Sequence, residues 1–182
     1  MKIKNGVLIQ IILLPITLGL FMQGCKTQDK LIKDSFSNNQ SDSFFFRAVG
    51  QGKDADMQVA KTKAVFYAKA EIASNARSVC ERIILDYLEQ TGNGNNIELK
   101  NRFISVSRES VSVSMVDVMI EDVVFKKDKD NNKYTCYAKV KVEKGNVLEA
   151  FADRSKSLLS DNNSTLLKQI IDKEVNQLNI KQ

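Results

Sequence analysis

Val59-Ala60-Lys61-Thr62-Lys63-Ala64-Val65-Phe66-Tyr67-Ala68-Lys69-Ala70-Glu71-Ile72-Ala73-Ser74-Asn75-Ala76 is the stretch that decides how this chain folds. Small or apolar residues return at 60, 64, 68, 72 and 76, and the pattern continues through Val79, Cys80, Ile83, Ile84, Tyr87 and Leu88. Recurrence at three- and four-residue spacing marks one face of an α-helix. Lys61, Lys69, Arg77, Glu81, Arg82 and Glu89 take the other faces. The pattern predicts a helix over residues 55–90, closed by Thr91-Gly92-Asn93-Gly94, whose glycines supply left-handed backbone. Nothing breaks it, because the only proline of the chain is Pro15. The alanine stripe lets the first half approach another layer closely. A sheet of the same domain is the first candidate for that layer, and a second copy of the helix in a homodimer is the other.

Outward from the helix, the flanking segments read as strands. Phe44-Phe45-Phe46-Arg47-Ala48-Val49-Gly50 is rich in residues suited to a pleated surface. Gly50-Gln51-Gly52 reads as the turn after it, and Asp54 as the N-cap of the helix. Residues 97–115 fit a helix to about Ser110 followed by extended chain, since Val111, Val113 and Met115 alternate with serine. A hairpin follows, with arms 116–127 and 133–143 around Asp128-Lys129-Asp130-Asn131-Asn132. In its second arm Tyr134, Cys136, Ala138, Val140 and Val142 face one way. Thr135, Tyr137, Lys139, Lys141 and Glu143 face the other, so one side packs and one meets water or a partner. Val147, Leu148 and Phe151 start a helical pattern that Asp161-Asn162-Asn163-Ser164 interrupts and Leu166, Leu167, Ile170, Ile171, Val175 and Leu178 resume. The expected fold class is α+β: a small antiparallel sheet, made of the N-terminal strand and the hairpin, packed by one long helix, with an added C-terminal helix. Residues 44–145 form the domain and 146–182 a C-terminal helical segment.

The first 25 residues carry a different message. Lys2 and Lys4 precede an apolar run from Val7 to Phe21, and Gly24 stands directly before Cys25. A basic head, a short apolar middle and a small residue at the cut make an export signal. The run falls short of the roughly 20 apolar residues of a membrane span, and Pro15 weakens it further as a helix. The Gly24-Cys25 ending resembles the lipobox of bacterial lipoproteins, although Met22 and Gln23 depart from its strict form. The resemblance implies cleavage between Gly24 and Cys25, with a diacylglyceryl group on the Cys25 thiol and an acylated (palmitate-type) amine. Two or more chains suffice for stable anchoring. Residues 1–24 are then the signal peptide. Residues 25–43 are the lipidated cysteine and a polar, flexible tether too poor in apolar groups to order itself.

Composition narrows the function. The formal charge falls from +5 to +3 once Lys2 and Lys4 leave with the leader, too mild a balance to argue for nucleic acid. Histidine and tryptophan are absent. That removes the commonest general base and the usual ligand of catalytic zinc. Cys80 and Cys136 could join in an oxidising compartment. A helix and a strand in layers about 10 Å apart favour two buried thiols instead, since a disulfide needs Cα atoms within about 7 Å.

Each motif that could carry chemistry has a plainer reading. Gly50-Gln51-Gly52-Lys53 lies where phosphate loops lie, but it lacks their spacing and ends in Asp54. Asp128, Asp130 and Asn132 place oxygens as a calcium loop begins, yet Lys133 and Lys139 stand where glycine and glutamate are required. Glu121 and Asp122, as neighbours on a strand, would point to opposite faces. Lys139 and Lys141 share a face that could meet acidic headgroups or simply water. No cofactor or metal is expected.

Arg47-Ala48-Val49-Gly50-Gln51-Gly52, the alanine-spaced helix, and Tyr134-Thr135-Cys136-Tyr137-Ala138-Lys139-Val140 together resemble the lipoprotein-twenty family of bacterial envelope lipoproteins. The arrangement is similar also to the N-terminal domain of flagellar assembly protein T. The resemblance spans residues 44–143 and the leader, with Asn131-Asn132 where a glycine-rich turn would stand. It implies an α+β domain without established catalysis. The expectation is a non-enzymatic protein held by lipid in the cell envelope, on the outer membrane, that binds or scaffolds an envelope protein partner. The alternatives are an accessory of a flagellar or other surface machine, and an envelope hydrolase using Asp117 or Glu121.

Overall fold

The computed structural model of the chain describes residues 42, 44–128 and 131–179, with side chains to Asn176. The leader, Gly24, Cys25 and the tether up to Ser41 therefore lie outside the described residues, as do Lys129 and Asp130. The elements run β1 (Phe45–Asp54), α1 (Met57–Gln90), α2 (Ile97–Ser114), a 3-10 turn (Met115–Asp117), β2 (Met119–Lys127), β3 (Tyr134–Glu143), α3 (Lys144–Ser155), a second 3-10 turn (Lys156–Leu158) and α4 (Asp161–Asn179). The sheet is antiparallel throughout, in the order β1-β3-β2. It is the α+β arrangement that the sequence predicts.

Helix α1 lies across one face of the sheet, and its position is set by the absence of side chains beneath it. Gly50 and Gly52 are strand residues, paired with Ala138 and Cys136 of β3. They do not form the expected turn; β1 runs straight through them to Asp54. A methyl group on Gly50 would collide with the carbonyl oxygen of Ala64, and one on Gly52 with that of Ala60. The helix backbone thus rests on the strand backbone, with Ala60, Ala64 and Ala68 fully buried at the seam. The true N-cap is Asp56, not Asp54. Its carboxylate accepts from the Gln58 and Val59 amides at 2.7 and 3.0 Å. Asp54 accepts instead from the Asp56 amide and pairs with Lys63 at 2.6 Å.

Beyond Ile72 the buried face of α1 changes from small to large, with Ile83, Ile84, Tyr87 and Leu88. There the partners are helices. Phe103 of α2 meets the Tyr87 ring edge-on with centroids 5.4 Å apart. Val147, Leu148 and Phe151 of α3 and Leu167, Ile170 and Ile171 of α4 complete the same cluster. Residues 146–171 are consequently part of the core that holds Phe46, Ala48 and Val140. Helix α4 begins at Asp161, so the interruption falls on Lys156–Leu158 and the two residues after it.

Residues 97–114 are helical to the end, where extended chain was expected after Ser110. The serines explain the difference. Ser107, Ser110 and Ser114 are buried, and each hydroxyl donates to a carbonyl one turn back, at 2.8, 2.8 and 3.0 Å. Satisfied in this way, they behave as small core residues. Lys69 of α1 donates to the Met115 carbonyl at 3.0 Å and closes that end.

Cys80 and Cys136 are both buried and both free. Cys136 packs with Ala60 and Ala64, whereas Cys80 belongs to the large-residue cluster. Sixteen residues of helix separate Cys80 from Ala64, roughly 24 Å along the axis. Length along α1, not the spacing between layers, keeps the thiols apart. Burial pushes the Cys80 thiol up to about 12.

Two outcomes follow from this packing. Gly50→Ala or Gly52→Ala should lower stability by about 3 kcal/mol, the upper end for a group forced into a filled core. Gly94→Ala, where an added methyl meets nothing within 4 Å, should leave the urea midpoint unchanged. Cys80 and Cys136 should resist a thiol-directed mass tag in the native protein and take it in urea.

Candidate functional site

With α1 on one face, no other described element covers the opposite face of the sheet. β3 decides which residues appear there. Cys136, Ala138, Val140 and Val142 are buried beneath the helix, while Thr135, Tyr137, Lys139 and Lys141 are half-buried on the opposite side. The register brings Arg47 of β1 opposite Lys141, and Val49 opposite Lys139. Three cations therefore gather on adjacent strands, and like charges directly opposite destabilise a sheet.

Glu121 resolves this. Its carboxylate lies 3.2 Å from Arg47 Nε, 3.1 Å from Lys141 Nζ and 3.9 Å from Lys139 Nζ. It reaches all three because β2 carries an irregularity between Ile120 and Asp122, which leaves Glu121 without a partner residue on β3. A β-bulge of this kind breaks alternation. Asp122 pairs with Lys139, an open-face residue, and Glu121 meets the cations of that same face. Glu121 and Asp122 thus share a face, contrary to the expectation that neighbours diverge.

The lattice extends toward the N-terminal side. Arg47 also pairs with Asp42, whose carboxylate accepts from the Phe44 and Phe45 amides at 2.9 and 2.7 Å. The Phe45 ring lies beneath both the Arg47 guanidinium, at 5.0 Å, and the Lys141 ammonium, at 4.6 Å. Such contacts contribute about 0.5–1 kcal/mol at exposed positions. Burial alone would raise the Glu121 carboxyl, but hydrogen bonds from Lys141 and Arg47 outweigh it and hold the group below its ordinary value. Asp42 is lowered for the same reasons, with Arg47 as its cation.

The lysine row is therefore not a free basic strip. Lys139 and Lys141 are only 18% and 25% exposed and share one carboxylate with Arg47. The lattice sums to one positive charge, bordered by exposed Phe44 and Met119.

Of the other expected residues, Asp117 lies exposed on the 3-10 turn. Asp128 pairs with Lys53 at 3.0 Å, and Asn132 adopts left-handed backbone, so both serve the hairpin loop. Among the described residues no group of three or more His, Cys, Asp or Glu could hold a metal ion, and no helix is long and apolar enough to cross a membrane. Sequence reasoning missed Asp42, Phe45 and Arg47. The alternation of β1 set in register with β3 could have found the last two; Asp42 was read as tether. Comparison with known protein families, curated proteins and solved structures finds no match to this chain.

The lattice should make stability depend on acid. A carboxyl whose folded value is depressed stabilises above its unfolded value and loses that contribution as pH falls through the folded one. For Glu121 the contribution is complete above about pH 4.5, the unperturbed value, and lost below it. Glu121→Gln should cost about 1 kcal/mol at neutral pH. It should also flatten the acid-side fall in urea midpoint between pH 5 and pH 3 (approximate bounds), and added salt should restore part of the loss at neutral pH.

Proposed function

We propose that this chain is a lipid-anchored, non-enzymatic protein of the bacterial cell envelope whose open sheet face binds another envelope component. The observation that carries the reading is the order of Lys2 and Lys4, the Val7–Phe21 apolar run, and Gly24 before Cys25. Cys25 is the anchoring residue, and the leash runs from residue 26 to the lattice that begins at Asp42. The resemblance to the lipoprotein-twenty family supports it at the level of fold class, since the α+β arrangement it implies is the one found.

The chemistry of the open face argues for binding over catalysis. Glu121, a candidate for the hydrolase alternative, is held below its ordinary value, against burial, by Lys141 and Arg47. That disfavours it as a general acid, and its carboxylate is already engaged by those cations. Its companion Asp117 sits on a separate exposed turn. A preformed lattice of paired charges around an aromatic ring suits recognition, because its side chains are already ordered and less entropy is lost on contact.

Fractionation of cells should place the wild-type protein in the membrane pellet and Cys25→Ser in the soluble fraction. Mass spectrometry should find Cys25 as the first residue, bearing diacylglycerol. An unmodified thiol, or equal retention of the variant, would overturn the anchor. A photo-crosslinking residue at exposed Gln51 on the open face should capture an envelope partner that the same residue at Glu81, on the outer face of α1, does not.

A further inference from the structure

Lys144 is the residue that neither the fold nor the sheet lattice accounts for. It opens α3 directly after β3, and its amide donates to the Phe44 carbonyl at 2.9 Å, continuing the pairing of β1 with β3 by one step. That bond fixes the backbone at the end of the sheet, and the side chain lies over the Phe46 ring, Nζ 5.2 Å from its centroid. The residue is 5% exposed. Among the described residues its ammonium has no hydrogen bond and no ion pair. The nearby acids are already engaged: Asp42 with Arg47, and Glu174 with Arg82 at 3.0 Å. Exposed Glu143 stands at the rim. The stem is buried, while the Nζ keeps contact with solvent, since Ser155 Oγ is the fully buried side-chain polar atom left without a partner among the described residues. Burial of the side chain lowers its proton affinity.

Lys144 does not face a sealed interior. It lines a cavity of about 300 Å³ with Phe44, Phe45, Glu143, Gly145 and Val175. Gly145 and Val175 also line a second cavity of about 400 Å³ between α3 and α4. The two adjoin at Gly145 and Val175, with Lys144 lining the smaller and Lys156 and Lys168 the larger, which is a cleft along α3. The apolar floor of the longer part is Leu148, Ala152, Leu167 and Ile171. It follows α3 from Gly145 to Lys156, roughly 16 Å of helix. Glu149, Asp153, Lys156, Lys168 and Asp172 edge that floor, and small-molecule sites likewise combine apolar surface with polar groups, in volumes of about 300–1,000 Å³.

We infer that this cleft binds a single-chain amphiphile with an anionic head, a carboxylate or a phosphate, taken by Lys144 while the chain lies between α3 and α4. The head supplies the missing counter-charge, and the chain covers apolar wall that α3 and α4 leave uncovered. A neutral amphiphile would fill the cleft and leave the ammonium unpaired. A small anion would satisfy the ammonium and leave the cleft empty. The inference is independent of the lipid on Cys25, which would anchor the chain whether or not the cleft is occupied.

The test uses the full chain in a non-ionic maltoside and a palmitate bearing a photoactivatable diazirine, with the labelled residues mapped by mass spectrometry. Label should fall on the α3 and α4 segments around Ala152 and Ile171. Unlabelled palmitate should compete and hexadecanol should not. Lys144→Met should lower labelling at least about tenfold, the loss of one charge-assisted contact, and Lys144→Arg should retain most of it. Ala152→Trp, which narrows the cleft and keeps the ammonium, should also abolish labelling, so the outcome does not hang on one variant. Hexadecyl phosphate as a second competitor separates the sources: competition by palmitate alone identifies a fatty acid, by the phosphate alone a phospholipid-type head, and by both a site that reads charge only. Label scattered over the surface, hexadecanol competing as well as palmitate, acetate or inorganic phosphate alone displacing the probe, or undiminished labelling of Lys144→Met would each overturn the inference.

Discussion

The contact between the backbone of α1 and the backbone of β1 is the constraint from which the rest of the structure follows. Two glycines on the strand and three alanines on the helix let the two backbones approach directly at that seam. A helix ordinarily stands off a sheet by the depth of the side chains between them. Here it settles onto the strand at one end and is carried outward at the other, where Ile72, Ile83 and Tyr87 take over. The result is a wedge. Its thin end is the Gly-Ala seam, and its thick end must be filled by elements the sheet does not supply. α2, α3 and α4 fill it, so the C-terminal helices are part of the same core rather than an appendage. A 34-residue helix, roughly 50 Å long, can be stable in water because it serves two different layers in turn.

The seam also settles what happens on the far side of the sheet. Among the described residues the covering elements lie on one face, so the outer residues of β1 and β3 satisfy one another. Their register sets Arg47 against Lys141 with Lys139 beside them, an arrangement that would repel in isolation. One bulged residue on β2 turns the repulsion into a lattice. Partly shielded and shared among three cations, Glu121 is more than a lone surface ion pair, whose contribution is usually within about 1 kcal/mol. Against the burial that would raise it, hydrogen bonds from Lys141 and Arg47 hold its carboxyl below its ordinary value.

How much of this can be read from the sequence depends on the range of the interaction. The periodicity of α1 and the alternation of β3 are local, and both appear where the residue pattern puts them. Gly50-Gln51-Gly52 misleads because glycine has two uses. Its common use is a turn, and only the helix contacts at Ala60 and Ala64, further along the chain, reveal the other, close approach of two backbones. The serines of α2 mislead in the same way. They read as the polar face of a strand, yet their hydroxyls bond back to carbonyls of their own helix and pass into the core. The Arg47–Glu121 pair joins residues 74 positions apart through a bulge. No local pattern encodes either the distance or the break in alternation.

Lys144 is legible only from the finished fold. In sequence it is one more lysine between a glutamate and a glycine. In space, β3 passes into α3 with no intervening loop, and the bond from the Lys144 amide to Phe44 fixes the backbone there, with the side chain lying over the Phe46 ring. The wedge places the ends of α3 and α4 just beyond, with apolar walls that do not close on each other. A methionine there would satisfy the burial at no electrostatic cost. A lysine adds a charge that the surrounding acids, committed to Arg47 and Arg82, do not answer. Burial of an ionic group without its partner raises the energy of the unliganded state. An anion that meets the ammonium there would supply that counter-charge at the cost of its own desolvation, so the net gain rests on the apolar contact made alongside.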